Sequence, residues 1–229
     1  MRSLALLVIA TVAALTGLSA QQRVIDGPVP VNREPHHRTV FENAQLRVLD
    51  VNLPPKALTL DHRHEHDIAT VSISPADTRT ISTGQPWGPV RPRRAIGNPA
   101  ITDYTSKPAT HVIENVGDTL YRLIAIENLR EANWSTGAPL NAAATTLALE
   151  SRAFRIYDVK LGSGAVLARH VHAAPTVAVL AAGSVVADSE AAPQRLETPG
   201  DWVVIEPGTF HRLASPSGAD AHVVEIEVR

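Results

Sequence analysis

The chain holds ten histidines and no cysteine, so any reactive metal site in its 229 residues must be built from imidazole and oxygen donors. Six histidines stand at repeated positions. His64 and His66 lie in RHEHDIATV (Arg63–Val71), and His170 and His172 lie in RHVHAAPTV (Arg169–Val177), at an offset of 106 residues. Each pair is followed by a third histidine, His111 and His211. In a strand, residues i and i+2 point to one face, so His-x-His presents two imidazoles together and a third can arrive from a distant strand. Imidazole suits Fe, Zn, Mn, Ni and Cu to different degrees, and three protein ligands leave positions open for water or substrate. A lone His-x-His is most often a surface or core pair. Two of them, each with a third histidine in register, point to a divalent transition metal whose identity the donors leave open.

The elements that would position these rings also come in duplicate. FENAQLRVLDVNL from Phe41 matches LESRAFRIYDVKL from Leu149 at an offset of 108, pairing Glu42 with Glu150, Arg47 with Arg155 and Asp50 with Asp158. RLIAIE from Arg122 matches HVVEIE from His222 at an offset of 100, as does His111 with His211. The order of landmarks is the same in both halves, which marks a tandem duplication. Each half reads as short β-branched runs bounded by Pro, Gly, Asp or Ser, and QLRVLDVNL and AFRIYDVKL alternate with the period of a strand. The alanine-rich LNAAATTLALE at the join could form one short helix. The expected fold class is all-β, two tandem barrels or sandwiches. Asp50 and Asp158 are candidate acceptors behind the metal ligands, although paired acids in duplicated strands are more often structural.

Composition bounds the setting. After Arg2, Leu4 to Ala20 carries no charge, and Leu18-Ser19-Ala20 before Gln21 reads as a small-residue cleavage site. This predicts a secretory signal peptide over 1–20 and a periplasmic or secreted protein; an uncleaved anchor is the alternative. Without cysteine, an exported chain has no disulfides and rests on its core, which an apolar content of 44% can supply. The net charge of −2 gives no overall attraction to nucleic acid. Arg91, Arg93 and Arg94 form one basic cluster, read as a solvated loop with anion guidance as the lesser option.

Each half resembles a cupin domain, so the whole resembles a bicupin. Gly164, His170, His172, Thr176 and Gly183 reproduce the spacing of the first cupin motif, with Thr176 where the family has glutamate. Gly200, Pro207, Gly208 and His211 follow the order of the second motif, with Ser215 at its asparagine. The first half keeps His64, His66, His111 and Asn115, with Leu58 and Asp77 at the glycine places and Thr70 again replacing glutamate. The resemblance implies jelly-roll barrels with the histidines facing inward, packed through apolar outer sheet faces. It further implies three-histidine centres that stay near +2 and favour an anionic, bidentate ligand, as in ring-cleaving and diketone-cleaving dioxygenases. His62, two residues before His64, is read as a fourth ligand, an acid–base group, or an idle residue at the barrel mouth. His36-His37 reads as a solvated arm.

The expected organisation is a signal peptide over 1–20, an N-terminal cupin domain with a leading arm over 21–132, a linker over 133–144, and a C-terminal cupin domain over 145–229. The expected function is a metal-binding exported protein, a three-histidine oxygenase acting on a small anionic or oxygenated molecule. The alternative is a non-catalytic periplasmic protein that binds a metal or small ligand. The expected partner is a small molecule, without nucleic acid or, after cleavage, membrane; a homodimer is a further option.

Overall fold

The computed structural model describes residues 27–130, 137–190, 192–216 and 218–229, so the expected signal peptide and the start of the expected linker lie outside the described residues. The first half supplies β1 (Val29–Pro30), a 3-10 turn (Val31–Arg33), β2 (His37–Glu42), β3 (Leu46–Leu53), β4 (His62–His64), β5 (Ile68–Ser74), β6 (Thr78–Ser82), β7 (Pro99–Thr102), β8 (Ala109–Asn115) and β9 (Tyr121–Asn128). The second supplies β10 (Thr145–Glu150), β11 (Phe154–Leu161), β12 (Val166–His170), β13 (Thr176–Ala182), β14 (Val185–Ser189), β15 (Gln194–Leu196), β16 (Trp202–Ile205), β17 (His211–Ala214) and β18 (Ala221–Val228). Each half forms one four-stranded and one five-stranded sheet: β1-β4-β8-β6 with β2-β3-β9-β5-β7, and β12-β17-β14-β15 with β10-β11-β18-β13-β16. These are two jelly-roll barrels.

The five-stranded sheets are apolar on both faces, and period-two alternation shows why. In β3, Leu46 and Val48 face one core cluster while Leu49 and Val51 face another. In β11, Phe154 and Ile156 join that first cluster, and Tyr157, Val159 and Leu161 fill the second barrel. The shared cluster adds Val71, Ile124 and Ile126 from the first half and Val177, Val224 and Ile226 from the second, all with no exposed surface. The two five-stranded sheets therefore pack outer face to outer face. Burial on both sides turns the expected alternation into nearly continuous apolar runs.

Contacts at the rim of this interface are reciprocal. Arg122 of β9 pairs with Asp50 at 2.9 Å and donates to the Pro199 carbonyl of the other half at 3.0 Å. His222 of β18 pairs with Asp158 and lies where a Cβ on Gly97 of the first half would fall. Both aspartates thus serve the join between barrels rather than the clustered histidines. The duplicated Arg47 and Arg155 likewise bridge Glu42 to Glu127 and Glu150 to Glu227. The expected helix at the join is absent: Thr145–Glu150 is β10, because its Leu147 and Leu149 pair with Tyr157 and Ile156 and extend the sheet. Tertiary pairing there overrides the alanine content.

A shared core makes the barrels one cooperative unit. Phe154→Ala should cost about 3–5 kcal/mol, read as a lower urea midpoint in a single transition. Two resolved transitions in the unsubstituted protein would contradict the shared-core account.

Candidate metal centres

In the second barrel, His170 ends β12, His172 follows two residues on, and His211 opens β17 opposite His170. Each ring is held by its Nδ1. His170 bonds the Ala168 carbonyl at 2.9 Å, His211 the Thr209 carbonyl at 3.4 Å, and His172 the Glu227 carboxylate at 2.7 Å. This leaves the Nε2 atoms facing a common point, and a fourth donor meets them there. Glu225 of β18 lies 3.0 Å from His211 Nε2, 3.5 Å from His170 Nε2 and 3.6 Å from His172 Nε2. Ligands about 2.1 Å from one ion sit roughly 3.0–3.4 Å from each other, so these separations fit a shared metal.

The unsatisfied atoms make the same point. His170 Nε2, His172 Nε2 and Glu225 Oε2 are buried without a hydrogen-bond partner. Buried polar atoms are rarely left so, and an ion is one of the few things that explains several together. The Nδ1 bonds are the usual outer partners of ligating histidines. Without a metal, burial would lower the pKa of His172, but Glu225 and Glu227 overcome it and raise the pKa to about 9. Burial likewise opposes ionisation of Glu225, yet its three histidines hold it well below the usual carboxylate range. The centre calls for positive charge.

The first barrel builds its cluster from histidines alone. His62 of β4 pairs across the ladder with His111 of β8, and their rings lie 4.6 Å apart; His64 lies 5.0 Å from each. His62 Nε2, His64 Nδ1 and His111 Nε2 are buried and unpartnered. His62 is anchored through Nδ1 to the Leu60 carbonyl at 2.9 Å, and His64 stacks on Tyr104 at 4.4 Å. Donor atoms of His37, His62 and His64 all fall within 4.8 Å of one another. Burial first, then repulsion between the rings, lowers His62 to about 4, His111 to about 3 and His64 to about 2. These rings stay neutral at ordinary pH, which is the form a metal takes.

The structural repeat differs from the sequence repeat by two residues. His62 pairs with His111 as His170 pairs with His211, and Ile68 pairs with Glu127 as Thr176 pairs with Glu227. The offset of 108 seen upstream therefore continues through the histidines. The counterparts are His62 with His170 and His64 with His172, while His66 falls opposite Ala174. His66 is half-buried and stands outside the cluster; His62 takes the place expected for it. Lys56, not Leu58, sits at the place of Gly164, and both adopt a left-handed backbone, φ 62° and 71°. The run His62-x-His64-x-His66 offers two His-x-His frames. A slip of two keeps every side chain on its face, so alternation cannot tell the frames apart.

Other expectations are also corrected. Glu225 restores a carboxylate to the second group, which with a divalent ion would be nearer +1 than the +2 expected from Thr176. Thr176 bonds the Ala174 carbonyl and is no ligand. Asn115 clamps a turn through the Leu53 and Thr119 carbonyls, and Ser215 bonds the Ala219 carbonyl in the matching place. His37 is 4% exposed rather than solvated. A signal for Glu225 existed: it occupies an inward position of an apolar strand, where its first-half counterpart is Ala125.

The barrels differ in what fills them. Leu180, Val185, Ala187 and Leu213 pack the second. At the first three of these places the first barrel has Ser72, Thr78 and Thr80, and a cavity of about 440 Å³ opens beside His37, His64 and His111. Arg91, Arg94, Tyr104 and Tyr121 also line it. Arg94 donates to Thr70 Oγ1 at 3.2 Å. Among the described residues neither Arg91 nor Arg94 has a carboxylate partner, whereas Arg93 faces Asp77 at 3.6 Å. The basic cluster is thus divided: two guanidinium groups serve the cavity and one serves the surface.

The depressed histidines predict a pH dependence for the metal-free protein. Between about pH 4 and 6.5 the unfolded chain binds protons at His62, His64 and His111 that the folded chain does not, so stability falls as pH falls through this window. His64→Asn should flatten that slope in urea unfolding compared at pH 7 and pH 5. An unchanged slope would contradict the neutral cluster.

No protein-family model matches the sequence, and no curated protein does. Solved structures do. AerE from Microcystis aeruginosa is similar over 86% of this chain and 98% of its own, with 14% identity and a TM-score of 0.61. Salicylate 1,2-dioxygenase from Pseudaminobacter salicylatoxidans is similar over 87% and 78%, with 12% identity and a TM-score of 0.61. A cupin 2 conserved barrel domain protein from Leptotrichia buccalis is similar over 83% and 87%, with 10% identity and a TM-score of 0.54. Such distant likeness speaks for architecture rather than activity, and the architecture it shows is the cupin fold.

Proposed function

We propose that the chain is an exported metal-dependent oxygenase whose first barrel acts on a small anionic, oxygenated molecule. We also propose that both histidine groups hold a divalent transition metal. One observation carries the reading: only the first cluster opens, among the described residues, onto a cavity that combines buried imidazoles with two arginines without carboxylate partners. A bound metal would supply Lewis acidity and, as iron, access to dioxygen chemistry. The chain's own residues do the rest. A donor set of neutral histidines leaves the ion's charge for an anionic ligand to balance. Arg91 and Arg94 are placed to take a carboxylate or enolate oxygen through charge-assisted hydrogen bonds. Tyr104, stacked on His64, fixes that ring and gives the cavity an aromatic wall. Salicylate 1,2-dioxygenase, which shares the fold, has been solved with gentisate adducts, a ligand of this chemical class.

The second centre, where a cavity of only about 100 Å³ reaches His211, favours a different role for its half. With no comparable cavity and its interior filled by leucine and valine, it is suited to holding a metal rather than turning over a substrate. That keeps the binding-protein reading alive for this barrel.

Purified protein should carry metal, and oxygen uptake should appear with a hydroxybenzoate, catechol or diketone. Arg94→Ala should raise KM at least about tenfold, the value of losing one charge-assisted hydrogen bond. Metal content without oxygen uptake across these classes would leave only the binding reading. Exported material should begin at or near Gln21 by N-terminal mass analysis; retained Met1 would refute export with cleavage.

A further inference from the structure

We infer that His37 is a protein ligand of the first centre, beside His62 and His64, and that Glu34 is its positioning residue, so that the N-terminal arm is part of the metal site. This rests on the proposal that the centre holds a metal. His62, His64 and His111 stand on the four-stranded sheet. His37 comes from β2 of the opposite sheet, in register with inward-facing Val51. Its ring lies 4.6 Å from His62 and 6.2 Å from His64.

The ring is not free to turn. Its Nδ1 bonds Glu34 Oε2 at 2.6 Å, and both residues are almost fully buried, at 4% and 2% exposure. A neutral His37 therefore keeps its proton on Nδ1 and directs Nε2 toward the cluster. Glu34 is fixed in turn. Its Oε2 also accepts from the His36 amide at 2.8 Å, and its Oε1 accepts from the Leu60 amide at 3.1 Å. The carbonyl of that same Leu60 accepts from His62 Nδ1. One residue on the approach to β4 thus couples the orientation of two histidines from different sheets. The arm is pinned beside it, because β1 runs parallel to β4 with Val29 opposite His62.

Comparison of the barrels gives an independent argument. The place of His37 is taken in the second barrel by Thr145, and the place of Glu225 is taken in the first by Ala125. Each barrel therefore adds one donor from its five-stranded sheet to histidines on or next to the other sheet, and neither adds two. In the first barrel that donor is an imidazole on the arm; in the second it is a carboxylate on β18.

The test uses the full chain with the second centre disabled by His170→Ala and His172→Ala. Cobalt(II) is titrated against a competing chelator, with its visible absorption as the second readout. His37→Thr, which installs the residue found at Thr145, should weaken cobalt binding by about a hundredfold and change the spectrum; Glu34→Gln should weaken it by about tenfold, as loss of an outer partner does. His37→Gln serves if the threonine variant does not fold, judged by circular dichroism. Unchanged affinity and spectrum in a folded His37 variant overturn this inference alone. No cobalt binding with His37 intact would sink the metal reading of the first centre as well.

Discussion

Ring nitrogens buried without hydrogen-bond partners are the constraint around which both barrels are built. A buried, unpaired polar atom costs on the order of 1–3 kcal/mol, and each centre gathers several. Loops could not hold such an arrangement, because the rings would turn out to water. Here the rings are locked from behind: Nδ1 of His62, His170 and His211 bonds a carbonyl two residues back on its own chain. His37 and His172 are locked by buried glutamates. The apolar cluster between the five-stranded sheets offsets this cost, since it buries Phe154, Ile156, Ile124 and Ile126 completely. The apolar core lies at the join, and the histidine clusters lie inside the barrels.

From that common plan the two halves have moved apart by a few substitutions at inward positions. Serine and threonine line the first barrel where leucine, valine and alanine fill the second. The first remains open, with arginines at its wall and no carboxylate among its clustered donors. The second is largely filled, with a cavity of about 100 Å³ at His211, and Glu225 balances much of the charge that an ion would bring. Charge and access change together: the centre that would keep the larger positive charge is the one that a small anion can reach.

Much of this was legible in the sequence, and the misses have specific physical causes. Period-two runs and duplicated landmarks sufficed for the all-β class and two like halves, and the resemblance to a cupin domain supplied the barrel. His64, His111, His170, His172 and His211 were picked out, and the structure brings each of them into a cluster. His66 was preferred to His62 because Arg63, Thr70 and Val71 matched their partners at the shifted offset. Strand alternation is blind to a slip of two. Glu225 hid in a strand whose counterpart carries alanine, so comparison of the halves gave no match there. His37 and Glu34 lie before the duplicated region begins. Their burial follows from β1 docking on β4, which no local pattern announces. The arginines split between cavity and surface by the path of one loop, again a matter of tertiary placement.

The central claim is that two histidine clusters, one opening on a large cavity and one more enclosed, each hold a metal. Crystals soaked with a divalent transition metal and measured at its absorption edge test this most directly. The account predicts two anomalous peaks per chain, one about 2.0–2.2 Å from ring nitrogens of His62 and His64 and one at the same range from His170, His172, His211 and Glu225. A single peak at the second cluster would contradict the account of the first barrel as the reactive one. Peaks at neither cluster would contradict the claim as a whole.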